Sequence, residues 1–177
     1  MEQLVLLTDP QYAPEAKDRR SGQRQVKKIL EQMHALSEQL NRALYGAKAS
    51  ERPVINSPSD AYNILFDMSH LEKEELRAIL LNTRNRVMRI VPVYRGSLNS
   101  TQVRVGELFR EAILENAAAI LIAHNHPSGD PDPSPDDVGL TSAVVQAGEL
   151  LDINVLDHLV VGAGRYVSLK ERGLGFK

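Results

Sequence analysis

The sequence contains no cysteine and no tryptophan, and only 3 phenylalanines among its 177 residues. Without cysteine there can be no disulfide, no thiolate metal site and no cysteine nucleophile; this fits a reducing compartment, so a cytoplasmic location is expected. No apolar run nears the roughly 18 residues that a membrane span needs, so no membrane partner is expected. The first ten residues hold only a four-residue apolar stretch, Leu4 to Leu7, behind an acidic start, which is unlike a signal peptide. Charge of neither sign dominates: 21 Lys and Arg against 23 Asp and Glu leave a net charge of −2. That balance supplies no global attraction to nucleic acid or anionic membrane. Arg84, Arg86 and Arg89 make a short basic run beside a turn, and such a run reads as a solvated face.

What remains is the composition of an ordinary globular domain, 42% apolar and 25% charged. Residues 1–22 read as a flexible lead-in, polar and patternless over 8–22. A helix over 23–45 follows, with Val26, Ile29, Met33, Leu36, Leu40 and Ala43 stepping by three and four as a heptad seam. Two readings stand: a helix laid on its own domain, or one that forms a homodimer with a second copy. Residues 46–57 are linker in composition, and a third region, 58–177, holds the remaining elements.

That region opens with a short helix, where Ser59 and Asp60 precede Ala61, Ile64, Leu65 and Met68. Residues 75–82 and 86–94 read as strands, the second at an edge or bulged, because Pro92 cannot donate to a ladder. A helix over 106–117 leads to 118–123, a wholly apolar strand of the kind buried on both faces. A further helix is expected from Pro135 to about Leu151, then strands over 153–162 and 165–171 joined at Gly162-Ala163-Gly164. This order predicts a layered α/β domain.

Chemistry concentrates in 124–137, HNHPSGDPDPSPDD. His124 and His126 stand at i and i+2 directly after the apolar strand, so both imidazoles can face one point. Neutral imidazole is a natural zinc ligand, and a catalytic zinc takes three protein ligands and leaves one position open. Asp137 is the best third candidate. Ser134 suits a helix N-cap, Pro135 the first helical position, and Ser134 with Asp137 has the spacing of a capping box. Helix initiation alone would account for Ser134 and Asp137, but not for two histidines one residue apart at the open end of a buried strand. His158 reads as a structural histidine, and Asn125, Pro127, Ser128 and Gly129 read as loop geometry.

His-x-His, seven residues, then Ser-x-x-Asp resembles the signature of the JAMM (MPN+) metalloproteases, matched by His124, His126, Ser134 and Asp137 without a gap. The wording is similar to one bacterial branch, the RadC-like proteins, in GSLNS (96–100), NAAAILIAHNHPSGDPDPSPDD (116–137), LLDINVLDHLVVG (150–162) and YVSLKERG (166–173). The resemblance covers roughly residues 58–177. It implies the JAMM (MPN) fold, a mixed β-sheet flanked by helices, here with an extra N-terminal helix. It also implies one zinc ion held by His124, His126 and Asp137. The family's general base, an upstream glutamate, falls on Glu74, with Glu75 as fallback, and Ser134 is implied as donor to the oxyanion. Residues 1–57 hold no Gly-rich hairpin of the helix-hairpin-helix kind that full-length RadC-like proteins carry.

The leading expectation is therefore a zinc metalloprotease or isopeptidase acting on a peptide or protein substrate. Two other readings compete: a DNA-repair-associated nucleic-acid-processing protein, and a scaffold that keeps the fold without turnover. The absence of a basic track weighs against the first, the intact ligand set against the second.

Overall fold

The structure is a computed structural model that describes residues 16–46, 49–96 and 103–176. It divides into two units, residues 1–36 and 37–177. The described part of the first unit belongs to helix α1, Ala16–Gly46, which continues into the second. The helix thus begins seven residues before the expected start at residue 23, and residues 1–15 of the expected lead-in lie outside the described residues. Along α1 the seam residues Val26, Ile29, Leu36 and Leu40 are 40–61% exposed.

The second unit is built on five strands: β1 (Glu75–Leu81), β2 (Val87–Arg95), β3 (Ala119–Asn125), β4 (Asn154–Val161) and β5 (Tyr166–Ser168). They form one mixed sheet in the order β2-β1-β3-β4-β5. Only β3 and β4 run parallel. Their connection is helix α4 (Pro135–Leu151), because parallel neighbours need a long crossover. Helix α2 (Pro58–Ile64) precedes β1, and α3 (Val105–Leu114) joins β2 to β3. The α/β class and the mixed, helix-flanked sheet are as expected.

β1 and β3 are buried at every position, so their central residues, 78–81 and 119–123, are apolar rather than alternating, and the polar Glu75, Arg77, His124 and Asn125 gather at one end of the pair. Odd-numbered Ile79, Leu81, Leu121 and Ala123 pack with Ala61, Leu65 and Met68 on one face. Even-numbered Leu76, Ala78, Ile120 and Ile122 pack with Phe109, Leu140 and Val144 of α3 and α4 on the other. The period of two along β3 therefore sends His124 to the α4 side. β2 is an edge strand, and its register with β1 slips where Pro92 pairs Arg77, so both of the alternatives that Pro92 raised are found together.

The two ends of α2 also differ from expectation. The cap of α2 is Ser57, not Ser59: Asp60 Oδ2 accepts the Ser57 N–H at 2.9 Å, and the Ser57 side chain accepts from Asp60 N. Pro58 then occupies the first helical position, where its missing N–H costs nothing. The helix also ends early, at Ile64, because Leu65 N–H is shared between Ala61 O and Tyr62 O and the chain tightens into a 3-10 turn over Phe66–His70.

Candidate metal centre

His124 is the penultimate residue of β3, and His126 is the first beyond it. The turn after His126 folds back on the β4–β5 hairpin: His126 N–H donates to Val161 O and Ala163 N–H to Gly129 O. Gly129 takes φ +83°, and a Cβ there would stand 3.1 Å from Ala163 Cβ. Gly162 lies so close to Gly129 O and Pro131 that a side chain would not fit. Both glycines are close-packing requirements of the turn that follows His126.

Asp137 comes from the first turn of α4. Ser134 caps that helix as expected: Asp137 N–H donates to Ser134 Oγ at 3.2 Å, and Ser134 N–H to Asp137 Oδ2 at 2.7 Å. The Ser134 hydroxyl also gives its proton to Asp137 Oδ2, at 2.6 Å. Oδ2 is thus held by two donors, and Oδ1 is left toward the histidines.

His124, His126 and Asp137 form a cluster able to hold a metal ion, the one such group among the described residues. His124 Nε2 lies 3.0 Å from His126 Nε2 and 3.0 Å from Asp137 Oδ1, and His126 Nε2 lies 3.6 Å from Asp137 Oδ2. A tetrahedral zinc with ligands at about 2.0–2.1 Å sets its ligand atoms about 3.3 Å apart. The observed spacings straddle that value. The hydrogen bonds to the other ring nitrogens agree, since His126 Nδ1 faces the Asp130 carbonyl at 2.8 Å and must donate to it. Lone pairs of two imidazoles and one carboxylate thus meet at one point, an arrangement that repels itself unless a cation joins it. The donor set fits zinc.

The same convergence shifts the titration of His126 and Asp137. Asp137 raises the pKa of His126 through a side-chain hydrogen bond; burial opposes this, and the Asp130 carbonyl and the charges of Asp137 and Glu74 add to it. Burial works against ionisation of Asp137, but His124, His126 and Ser134 outweigh it and hold its carboxyl far below the usual range. Burial drives the His158 pKa well below the ordinary histidine value, and the neighbouring His124 and His126 push the same way.

The glutamates separate clearly. Leu76 pairs with His124 across β1 and β3, and Glu75 N–H donates to Asn125 Oδ1 at 2.8 Å. Glu74 directly precedes β1, and its charge is felt at His126. Glu75 points to the other face and is buried in an ion pair with Arg77, which also binds Asp67 at 2.9 Å. Glu72 is exposed.

Three residues matter more than their sequence context suggested. Asn125 is a buried strand residue, not loop geometry: its amide donates to Lys73 O at 3.1 Å and ties the segment bearing Glu74 to β3. His158 Nε2 touches His124 Nδ1 at 2.8 Å, and Thr141 Oγ1 lies 2.6 Å from His158 Nδ1. The signal for His158 was its place in the strand after the motif helix, but only the parallel pairing of Ile122 with His158 brings it to His124. Asp130 and Asp132 make exposed ion pairs with Arg165 and Arg172, at 3.3 and 2.9 Å, which contribute little.

Residues 55–174 match the family of RadC-like JAB domains. A UPF0758 protein of Roseiflexus sp. (strain RS-1) is 56% identical over 139 residues, covering 78% of this chain and 60% of the relative. One from Chloroflexus aurantiacus is 56% identical over 140 residues, 78% of this chain and 61% of the relative. One from Moorella thermoacetica is 50% identical over 124 residues, 70% of this chain and 54% of the relative. The chain thus spans about 60% of the length of the first two relatives. Among the described residues, no helix is long and apolar enough to cross a membrane.

Proposed function

Since the chain belongs to the RadC-like JAB domain family, we propose that it is a zinc-dependent hydrolase that cleaves amide or isopeptide bonds in peptide or protein substrates. The observation that carries this reading is the meeting of two Nε2 atoms and a carboxylate within 3.6 Å, with the charge of a second carboxylate, Glu74, acting on His126.

His124, His126 and Asp137 hold the metal. Zinc bound there supplies Lewis-acid chemistry: it brings the ionisation of water near neutral pH and polarises a carbonyl. Glu74 is the general base, half-buried with its charge acting on His126, whereas Glu75 is engaged by Arg77. It takes a proton from water as the oxygen attacks the carbonyl carbon, and returns it to the amine as the C–N bond breaks. Ser134 keeps its N–H on Asp137 Oδ2 while its hydroxyl turns to the developing oxyanion. A peptide and isopeptide library tests this reading: cleavage that needs zinc and Glu74 supports it, and cleavage of DNA instead of peptide sinks it.

The arginines weigh against a nucleic-acid substrate. Arg86 binds the carbonyls of Ser50 and Arg52, and Arg89 binds Glu111 and Glu115, so neither is offered to phosphate. We further propose that the partner of α1 is a second copy of the chain. Its seam is exposed over two and more turns, and one flank of that seam, Gln25, Gln32 and Gln39, carries no charge to repel a like helix.

A further inference from the structure

A buried chain of hydrogen bonds runs from the backbone of α4 to His124. Thr141 Oγ1 lies 2.6 Å from the Asp137 carbonyl oxygen and 2.6 Å from His158 Nδ1. His158 Nε2 lies 2.8 Å from His124 Nδ1, and Thr141 and His158 are both 0% exposed. No water can intervene to relax the choice of donor and acceptor along it.

The polarity of this chain follows from its first member. A carbonyl oxygen only accepts, and a hydroxyl has one proton to give, so Thr141 spends its proton on Asp137 O. Toward His158 it can then only accept, which places the proton of His158 on Nδ1. The Nε2 of His158 keeps a lone pair, and the group facing it is His124 Nδ1, which must donate. His124 is left with its lone pair on Nε2, the atom that faces His126 and Asp137. An unrestrained neutral histidine carries its proton on Nε2 more often than on Nδ1, so this state has to be imposed.

We propose that Thr141 and His158 are positioning residues that set the tautomer and ring orientation of His124, presenting its Nε2 as a metal ligand. The inference rests on the metal-centre reading above. His126 has a simpler anchor, the Asp130 carbonyl in the turn beyond β3. His124 lies in the strand, where its Nδ1 meets His158 instead of a carbonyl, and side chains from two neighbouring elements do that work. The spacing on α4 makes this economical: Thr141 is one turn beyond Asp137 on the same helix face, so one element supplies both a ligand and the origin of the chain. β4 then brings His158 between them through its parallel register with β3.

The test uses the full chain with Thr141→Val, Thr141→Ser and His158→Gln. Long-range proton–nitrogen NMR of the metal-free protein, above the histidine pH range, reads each tautomer. Competition with a chromophoric chelator reads zinc affinity. Wild type and Thr141→Ser are expected to show Nδ1–H on both His124 and His158. Thr141→Val is expected to lose that state and to bind zinc about 10- to 100-fold more weakly, with little change in melting temperature. His158→Gln, which keeps an acceptor for His124, is expected to fall between. Nε2–H on His124 in wild type, or zinc affinity in Thr141→Val within about twofold of wild type, would overturn the proposal. If Thr141→Val does not fold, His158→Gln decides: full loss of zinc with His124 still Nδ1–H also overturns it. A wild type that binds no zinc would end the hydrolase reading, yet the tautomers of the metal-free chain would still decide this one.

Discussion

The Glu75 carboxylate lies against Arg77 Nε inside the protein, both side chains 6% exposed. Their pairing assigns the two adjacent glutamates to different tasks, because alternation along an extended chain sends Glu74 to the opposite face, toward His126. Glu74→Gln is therefore expected to lower peptide hydrolysis by about 100-fold or more while zinc and melting temperature hold. Glu75→Gln should instead cost about 3 kcal/mol of stability, since it strips one partner from a buried pair, with turnover per folded molecule largely kept. Steady-state cleavage and urea denaturation of both variants check this. Equal retention of activity in both would remove the proposed base.

Ser134 contributes twice, as helix cap and as a donor to Asp137 Oδ2. Ser134→Ala is expected to cost about 1 kcal/mol from the lost cap. It should also lower kcat by about 100-fold from the lost oxyanion donor. Zinc affinity should move less, because the Ser134 N–H still holds Oδ2. A kcat unchanged in this variant, measured beside Ser134→Thr, would leave Ser134 a cap only.

Zinc binding should depend on pH through His126. In the metal-free chain Asp137 raises the His126 pKa above its ordinary 6.5, and metal must displace that proton. The protonated form stabilises the metal-free state below the raised pKa, so apparent affinity falls as pH drops through it and levels off above. The slope is expected to approach about tenfold per pH unit on the acidic side, since one proton leaves per ion bound. Chelator competition across mildly acidic to mildly alkaline pH measures it, and a flat profile would contradict the proton-for-metal exchange.

The exposed seam of α1 predicts self-association. Replacing Ile29 and Leu36 together by glutamate should convert a dimer to a monomer in sedimentation, without loss of zinc. The same mass for wild type and variant would discard the second copy as partner.

Local chemistry made much of the centre legible. His124 and His126 announce themselves by spacing, and Ser134, Pro135 and Asp137 by helix initiation, all within fourteen residues. β3 was readable because a strand buried on both faces has no polar residue until its end. Pairing across the sheet was not. Thr141 is an ordinary mid-helix threonine and His158 a lone strand histidine until β4 lies parallel to β3, and no local pattern carries that register. Asn125 likewise gains meaning only from the backbone of Lys73 opposite. Glu74 was reached by family resemblance, because three glutamates within four residues look alike until Arg77 engages one of them.

His124, His126 and Asp137 are expected to bind one zinc ion. Metal analysis of the purified chain beside His126→Ala and Asp137→Ala tests it most directly. One zinc per chain in wild type and only traces in both variants is the expected result; the same trace metal in all three would contradict the account.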